Sequence, residues 1–365
     1  MTPQTETELA ECIAGADGAV CVSGGGTRGY VVPGAQLRTA GLRGVELYEP
    51  GALTMVAQAG TPVAEIEATL ARQGQRLAFE PMDHRGLLGA GSEPTIGGVF
   101  AANVSGPRRI QGGAARDFLL GVRFVDGRGQ LVKNGGRVMK NVTGYDLVKL
   151  MAGAHGTLGV LSEVSFKVLP KPEAEATVLV SGIDLPGALR VMSAALGSPY
   201  DVTGAAYNPE QAAAYVRVEG FAASVEYRCE KLIRELSPVG AAVRVDRTDE
   251  LWCGVRDVTA FHNVPGDVWR ISVKPSDAVQ VAASLGAKAL QFDWGAGLIW
   301  ALVPEGENVR AQLAVQGHAN LVRASNETKA RLGQFQPQPA PLAALSAGLR
   351  AQFDPRGILN PGLMG

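Results

Sequence analysis

The sequence is poor in cysteine, in net charge and in long apolar runs, and each shortage excludes a class of protein. Its four cysteines, Cys12, Cys21, Cys229 and Cys253, form no C-x-x-C pair, which suggests neither a zinc site nor an iron–sulfur cluster held by this chain alone. A formal net charge of −1 makes nucleic acid an unexpected partner. No stretch has the ~18 uninterrupted apolar residues of a membrane span, and the acidic start lacks the features of a signal peptide. We therefore expect a cytoplasmic protein, which a complex could still hold at a membrane.

The length and the linkers predict more than one domain. A chain of 365 residues exceeds the usual ~100–200 residues of a single domain. The segments "PKPEAEA" (170–176) and "GQFQPQPAP" (333–341) are rich in proline or charge and are typical of linkers. We predict a first domain over 1–170, a second over 171–335, and a C-terminal segment over 336–365 that returns to the first domain.

Hydrophobic patterning predicts mixed elements in the first domain. The expected elements are a helix over 5–15, strands over 19–23, 45–50, 54–60 and 76–81, and a helix over 61–74. Residues 82–118 are loop-like, 118–132 read as a hairpin, and 144–170 give a short helix, a glycine turn and a strand.

The second domain shows a β-α-β-β-α-β order twice. The first repeat has strands over 177–182, 201–207, 213–219 and 241–246, with helices over 185–196 and 222–236. The second has strands over 268–273, 289–294, 298–303 and 319–324, with helices over 276–285 and 306–316. A helix over 342–353 closes the chain. This layout predicts an α+β fold in which one sheet is assembled from two ferredoxin-like halves, with helices on one face.

The stretch "VSGGGTRG" (22–29) contains a G-x-G-x-x-G match in Gly24, Gly26 and Gly29. In a Rossmann fold the third glycine opens a helix. Here the fifteen residues after Gly29 include a proline and three glycines and lack a helical face, although an acid does follow at Glu49. A run of bare amides can still bind a pyrophosphate as a nest. The alternative is an ordinary turn between strands.

Two later segments share this backbone-exposing character. "EPTIGGVFAANVSGPRRIQGGAARD" (93–117) is long for a loop without a function, and close approach to a flat ligand would need its glycines and small residues. "GTLGV" (156–160) leads into a strand.

Together the three segments resemble the flavoprotein family with the FAD-binding domain of the vanillyl-alcohol oxidase and p-cresol methylhydroxylase (PCMH) type. Within it, "VMKNVTGYDLVKLMAGAHGTLGVLSEVSFKVLP" (138–170) and "FDPRGILNPGLMG" (353–365) are similar to FAD-binding subunits of bacterial glycolate oxidases. The resemblance runs from about residue 20 to the C-terminus, is strong over 80–170 and weak over 175–330. It implies a two-part PCMH-type FAD domain followed by a cap domain.

The resemblance also implies where FAD would bind. The pyrophosphate loop would be Ser23, Gly24, Gly25, Gly26, Thr27 and Gly29. The ribityl and isoalloxazine portion would be lined by Pro81, Thr95, Ile96, Gly97 and Gly98, with Asn103, Ser105 and Gly106 close behind. The adenine end would lie near Gly159, Val160 and Glu163, and Asn360 would return toward the flavin.

Two departures from the family pattern bear on chemistry. Some relatives attach FAD covalently through a histidine in the pyrophosphate loop, where this chain has glycine, so we predict non-covalent FAD. D-2-hydroxy-acid dehydrogenases of the family carry a paired-histidine metal motif in the cap. This chain has only His84, His155, His262 and His318, none with another histidine nearby, so no metal is expected and independent catalysis is in doubt.

The candidates for chemistry are few. Arg108 and Arg109 lie in the loop expected to face the flavin, where one of them could bind a carboxylate or offset the charge of reduced flavin. The alternative is that the two arginines are a solvated pair or form an interface contact.

Other polar residues have simpler expected roles. Asn141 is expected to cap the helix that contains Tyr145 and Asp146. His84 could reach the flavin but is more typical of a loop hydrogen-bonder, and His155 is expected in a turn.

The pairs Trp269-Arg270 and Asp293-Trp294 alternate on presumed strands of the second domain. We expect these four residues in the core and at its rim rather than as substrate ligands.

The resulting hypothesis is an FAD-binding subunit of a glycolate (2-hydroxy acid) oxidase complex that takes part in oxidising glycolate to glyoxylate. Electrons would pass to or from a second FAD subunit and an iron–sulfur subunit. The alternatives are a non-catalytic subunit stabilised by FAD, and a stand-alone FAD-dependent hydroxy-acid dehydrogenase.

Overall fold

The computed structural model describes residues 1–138, 144–246 and 248–364. In the first part of the chain the strands are β1 (Val20–Ser23), β2 (Ala35–Arg38), β3 (Val45–Glu49), β4 (Thr54–Gln58), β5 (Gln75–Arg76), β6 (Leu119–Val125), β7 (Leu131–Gly135), β8 (Val160–Lys167) and β9 (Leu169–Pro170). The helices are α1 (Glu6–Ala14), α2 (Val63–Ala71), α3 (Arg85–Leu88), α4 (Ile96–Ala101), α5 (Arg109–Gly112), α6 (Ala115–Phe118) and α7 (Leu147–Met151). Two 3₁₀ turns lie at Thr39–Gly41 and Pro50–Ala52.

These strands form one five-stranded antiparallel sheet and two small ones. The large sheet has the order β3-β4-β8-β6-β7, β1 pairs with β2 in parallel, and β5 pairs with β9. Helix α4 packs against the large sheet around buried aromatic rings: Phe100 lies 5.4 Å from Phe79 and 5.4 Å from Phe166, centroid to centroid. Such tilted ring pairs add to the stabilisation that burial provides, and they anchor α4 in the core beside the glycine loop.

The segment 76–118 is where the predicted elements were wrong. The strand expected over 76–81 is extended only at β5, because the chain turns directly after it: the Glu80 amide donates to the Leu77 carbonyl at 3.2 Å, and Glu80 has a φ of 45°. The loop expected over 82–118 contains the helices α3 to α6, each of four to six residues. Helices this short complete too few turns to show a 3.6-residue pattern, so periodicity could not reveal them.

In the second part the strands are β10 (Ala174–Ser181), β11 (Val202–Asn208), β12 (Ala213–Gly220), β13 (Ala241–Asp246), β14 (Asp267–Ser272), β15 (Ala289–Asp293), β16 (Leu298–Val303) and β17 (His318–Arg323). The helices are α8 (Leu185–Gly197), α9 (Ala222–Leu236), α10 (Asp249–Asp257), α11 (Ala278–Ser284), α12 (Val309–Gln312), α13 (Asn326–Leu332) and α14 (Ala340–Phe353). Helix α10 was not predicted, and α12 is much shorter than the expected helix over 306–316. Further 3₁₀ turns occur at Thr259–Phe261, Pro275–Asp277 and Trp294–Ala296.

The eight strands form one sheet made of two similar halves, as predicted. Its order is β13-β10-β12-β11-β15-β16-β14-β17. Each half places its four strands in the order 4-1-3-2, counted from its outer edge, and the halves join where β11 pairs with β15 at Tyr207 and Phe292. The α+β class and the ferredoxin-like repeat are thereby confirmed.

Strand alternation gives this sheet two different faces. On β12, Val216 and Val218 pack into the helix-covered core, whereas Arg217 and Glu219 point to the opposite face. On β14, Ile271 lies in the same core and Arg270 lines a cavity on the opposite face. The sheet therefore presents charged side chains to the first part of the chain.

A buried ion-pair network joins the two parts of the chain. Arg217 contacts Glu80 at 2.9 Å, and Glu219 accepts from Arg108 at 2.5 Å and from Arg76 at 2.6 Å. Removing one member of such a network leaves an unpaired buried charge, so these contacts fix how the second part sits on the first.

The C-terminal segment packs against the first part. The amide of Asn360 donates to the carbonyl of Val20 at 3.0 Å, and the amide of Val20 donates to Ile358 at 2.8 Å. None of the helices in the described residues combines the length and the apolarity needed to cross a membrane.

Candidate functional site

The glycine loop after β1 exposes a row of backbone amides to a cavity. Within the described residues, no amide from Gly24 to Gly29 donates a hydrogen bond to the protein. Two of the glycines are required by close packing against the loop before α4. A Cβ on Gly24 would lie 2.1 Å from Oγ1 of Thr95, and one on Gly25 would lie 1.7 Å from the carbonyl oxygen of Glu93. A row of such free amides can act as an anion-binding nest.

The cavity beside this loop has a volume of about 250 Å³. Ten of the residues predicted to bind FAD line it: Ser23, Gly24, Gly25, Gly26, Thr27, Gly29, Gly97, Gly98, Gly159 and Val160. No helix follows Gly29 and the chain continues to strand β2, so the G-x-G-x-x-G match lies outside a Rossmann context.

Arg28 places a positive charge in the lining of this cavity. Its Nε is buried and has no hydrogen-bond partner among the described residues, and its guanidinium lies against Gly98. Burial lowers the pKa of Arg28, an effect that Tyr30 partly opposes. A buried cation without a protein anion is costly, and a bound anion would remove that cost.

Two neutral histidines lie beside Arg28. The Tyr30 hydroxyl and His155 Nδ1 are 2.8 Å apart, and His84 Nδ1 lies 3.2 Å from the Met82 carbonyl oxygen. Burial, reinforced by Arg28, lowers the pKa of both imidazoles to about 3, while burial raises the pKa of Tyr30 to about 12. The cluster therefore adds no second positive charge near Arg28.

Asn360 fixes the position of two cavity walls. Its Oδ1 accepts from the amide of Val22 at 2.7 Å, and its Nδ2 donates to the carbonyl of His155 at 2.8 Å. The side chain is buried and lies behind the cavity rather than in its lining.

A second cavity of about 680 Å³ continues from the first toward the eight-stranded sheet. Four residues line both cavities: Arg28, Tyr30, Ala102 and His155. The second cavity receives Asn103, Ser105 and Gly106 from the first part of the chain and Arg270, Asp293 and Trp300 from the second. The two cavities form a continuous path from the glycine loop to the face of the sheet.

The end of this path is cationic, and two of its arginines lie over the ring of Trp294, a residue just outside the cavity lining. The Cζ atoms of Arg109 and Arg270 lie 4.7 Å and 5.0 Å from the Trp294 ring centroid. Burial lowers the pKa of Arg270 to about 10 and raises the pKa of Asp293 to about 7. Only one carboxylate, that of Asp293, is present among the described lining residues of this cavity.

Besides Asn360, five predicted site residues line neither cavity. Arg108 is held by Glu219 and Glu80 and faces away from both cavities. Thr95 caps α4 by accepting from the Gly98 amide at 3.3 Å, and Ile96 is in the core. Pro81 borders a separate small cavity, and Glu163 lies in β8 opposite Gln58 and Arg123.

Arg28, Arg270 and Asp293 were not assigned to the site from the sequence. Arg28 stands within the glycine loop itself, and an arginine flanked by small residues was the available signal. Arg270 and Asp293 were expected in the core or at its rim, yet both line the second cavity. Their alternation with Trp269 and Phe292, which are buried in the core, was the signal that they face outward.

The expected cap at Asn141 falls outside the described residues. Helix α7 begins after Asp146, whose carboxylate accepts from the Lys149 amide at 3.0 Å, and Tyr145 precedes the helix. Among the residues that the structure describes, no group of three or more His, Cys, Asp or Glu is arranged to hold a metal ion.

Comparison with known folds defines the class of protein. Residues 1–135 match the model of the FAD binding domain family. Alkyldihydroxyacetonephosphate synthase superposes with a TM-score of 0.72 at 16% identity, covering 99% of this chain and 76% of that one. Glucooligosaccharide oxidase from Acremonium strictum superposes with a TM-score of 0.66 at 13% identity, covering 100% of this chain and 90% of that one. The fold is that of PCMH-type FAD-dependent oxidoreductases.

The particular family follows from sequence. The chain is 38% identical over 339 residues to the glycolate oxidase subunit GlcE of Escherichia coli K12, covering 92% of this chain and 89% of that protein. The chain belongs to the family of that subunit. The free amides and the unpaired Arg28 fit the pyrophosphate of the dinucleotide that this family binds.

Proposed function

We propose that this chain is the FAD-binding subunit of a glycolate (2-hydroxy acid) oxidase complex and takes part in oxidising glycolate to glyoxylate. The observation that carries the proposal is the continuous path from the free amides of the glycine loop, past Arg28, to a cationic cavity. Such a path suits an extended cofactor whose phosphates lie at one end and whose reactive ring lies at the other.

The cofactor would be held by contacts of three kinds. The amides of Gly24 to Gly29 and the Arg28 guanidinium would bind the pyrophosphate, and Gly159 and Val160 would border the adenine end. Asn103, Ser105 and Gly106 would border the isoalloxazine ring. When bound, FAD supplies the acceptor for the hydride removed from the CH–OH carbon of the substrate.

We infer that the flavin is bound non-covalently. Residues 23–29 contain no histidine or cysteine, and His155 is already engaged with Tyr30. Acid precipitation of the purified holoprotein should release all of the flavin into the supernatant. Flavin that stays with the precipitated chain would contradict this.

The electron route would involve other subunits. The four described cysteines are unpaired and dispersed, and the E. coli relative is named as a subunit. A second FAD subunit and an iron–sulfur subunit are therefore proposed as partners. The assembled complex is proposed to be cytoplasmic, with attachment to a membrane through a partner as the alternative.

Anaerobic mixing with glycolate separates this proposal from its two alternatives. We expect no bleaching of the flavin band by the isolated chain, and bleaching once the partner subunits are present. Bleaching of the isolated chain would show a stand-alone dehydrogenase. To assign the bleaching to this chain, the complex is also assembled with Arg28→Gln, which should lower FAD occupancy here; unchanged bleaching would favour a structural subunit.

A further inference from the structure

Two of the arginines that line the second cavity, Arg109 and Arg270, contact the same aromatic ring and form no ion pair among the described residues. Among the described residues, no carboxylate oxygen lies within 4 Å of the Arg109 or Arg270 guanidinium, whereas the neighbouring Arg108 and Arg217 are both ion-paired. Burial lowers the pKa of Arg109 and of Arg270, and the more distant carboxylates of Asp117 and Asp293 oppose this effect only in part. Two desolvated cations side by side destabilise a fold. Their placement therefore indicates a ligand that supplies the missing negative charge.

Trp294 holds both guanidiniums in place. Its ring contacts Arg109 from the first part of the chain and Arg270 from the second, so each cation gains from the ring's negative face before any anion binds. The indole Nε1 donates to the Gly106 carbonyl at 3.0 Å. Trp294 is thus tied to the same segment that borders the second cavity.

The backbone turn at Trp294 is strained, and this turn fixes the position of the Trp294 ring. Trp294, Gly295 and Ala296 have φ values of 54°, 65° and 73°, which places three successive residues in the left-handed region. A non-glycine residue in that region is strained and persists only where the surroundings impose it. The turn therefore preorganises the platform under the two arginines.

The chemistry of the site matches a carboxylate. Guanidinium groups bind carboxylates through planar, paired hydrogen bonds, and two of them from different elements can hold one small anion. The cavity also contains Asn103, Ser105 and Gly106, the segment proposed to border the isoalloxazine ring. A carboxylate bound by the arginines would bring the rest of a small acid toward that segment.

We propose that Arg109 and Arg270, supported by Trp294, form the binding site for the carboxylate of a small 2-hydroxy acid. The proposal rests on the proposed function and deepens it, because it assigns substrate recognition to this subunit and to this interface. It makes Arg109, and not Arg108, the arginine of the adjacent pair that contacts substrate.

The test measures binding of oxalate, a small carboxylate with no CH–OH group to oxidise, to the FAD-loaded protein. Titration is followed by the change in flavin absorbance and by calorimetry. We expect Arg109→Gln and Arg270→Gln each to weaken binding about 10- to 100-fold, the usual loss for a hydrogen bond to a charged group. Arg116→Gln, at an exposed arginine on the rim of the same cavity, should change the affinity less than about threefold.

Further outcomes separate this proposal from the proposed function. Unchanged FAD content in both variants with weakened oxalate binding supports the carboxylate site. Loss of FAD from either variant, or no oxalate binding by the wild-type holoprotein, would overturn the carboxylate site. Neither outcome would contradict the proposal that the wild-type protein binds FAD. Equal affinity for inorganic phosphate would overturn the assignment to carboxylates. Arg270→Lys keeps the charge without the planar fork, so it gives a folded comparison if Arg270→Gln is unstable.

Discussion

Arg108 binds Glu219 through two parallel contacts, Nε to Oε2 at 2.8 Å and Nη2 to Oε1 at 2.5 Å. The two residues are 111 positions apart and belong to the two parts of the chain. Burial disfavours a charged Glu219, but the Arg108 guanidinium, helped by Arg217 and Arg76, holds the pKa of that carboxyl well below its usual range. The Arg108–Glu219 pair is therefore a main contact of the interface between the two parts of the chain, which also contains the second cavity.

Arg108→Met should therefore destabilise the protein strongly. Removing one partner of a buried ion pair typically costs about 3–5 kcal/mol, although the remaining contact of Glu219 with Arg76 should limit the loss. The free energy of unfolding is measured by guanidinium titration followed by tryptophan fluorescence. Arg43→Met breaks the exposed pair with Glu65 and should cost less than about 1 kcal/mol. Equal losses of unfolding free energy in the two variants would show that the buried Arg108–Glu219 pair stabilises the protein no more than an exposed pair does.

The adjacent residues Arg108 and Arg109 show which parts of the structure could be predicted from the sequence. The glycine loop, the eight strands of the repeated layout and their approximate bounds were predictable, because strand alternation and turn residues are local signals. Which of Arg108 and Arg109 faces the cavity was not. That choice depends on Glu80 and Glu219, and no local pattern places Glu219, 111 residues after Arg108, beside this loop.

The importance of Arg28 and the conformation of Trp294 follow from the folded surroundings in a different way. The significance of Arg28 lies in the missing partner of its Nε, which only the folded surroundings reveal. The left-handed φ of Trp294 is uncommon for a large side chain, so propensity argues against it. Such departures from local rules concentrate at functional sites.

Asp293→Asn should make the protein more stable at pH 8. Burial raises the pKa of Asp293 to about 7, an effect opposed mainly by the Trp294 amide, then by Arg217 and Arg270, and increased by Glu80. The folded protein keeps this proton up to about pH 7, whereas the unfolded chain releases it above about pH 4. The stability that the protonated carboxyl contributes is therefore complete below pH 4 and lost as the pH rises through 7.

The expected gain at pH 8 is on the order of 2–4 kcal/mol, and it should vanish near pH 4. Asparagine retains an oxygen that can accept from the Trp294 amide, so the comparison isolates the charge. Guanidinium unfolding is measured at both pH values, with the exposed Asp17→Asn as control. A gain for Asp293→Asn that is the same at pH 4 and pH 8 would contradict the assignment.

Asn360→Ala should weaken FAD binding without a direct contact to the cofactor. The change leaves the Val22 amide and the His155 carbonyl without their partner, which costs about 1–3 kcal/mol. Because Val22 and His155 both border the first cavity, we expect the dissociation constant for FAD to rise about tenfold. The measurement is flavin fluorescence during titration of the deflavinated protein. Asn326→Ala alters an exposed residue, and an equal rise in that variant would show that the effect is not specific to Asn360.

Gly25→Ala should abolish FAD binding while most of the fold persists. The added Cβ would lie 1.7 Å from the Glu93 carbonyl oxygen, far inside any allowed contact, so the glycine loop must move away from the segment before α4. The free amides of the loop would then lose the arrangement that forms the nest. Gly51→Ala is the matched control, because nothing lies within 4 Å of its Cβ and it should bind FAD normally. Equilibrium dialysis gives the FAD content of each variant, and circular dichroism reports whether it is folded. A folded Gly25→Ala protein with full FAD content would show that close packing at Gly25 is not needed for the cofactor, and that the phosphates are held elsewhere.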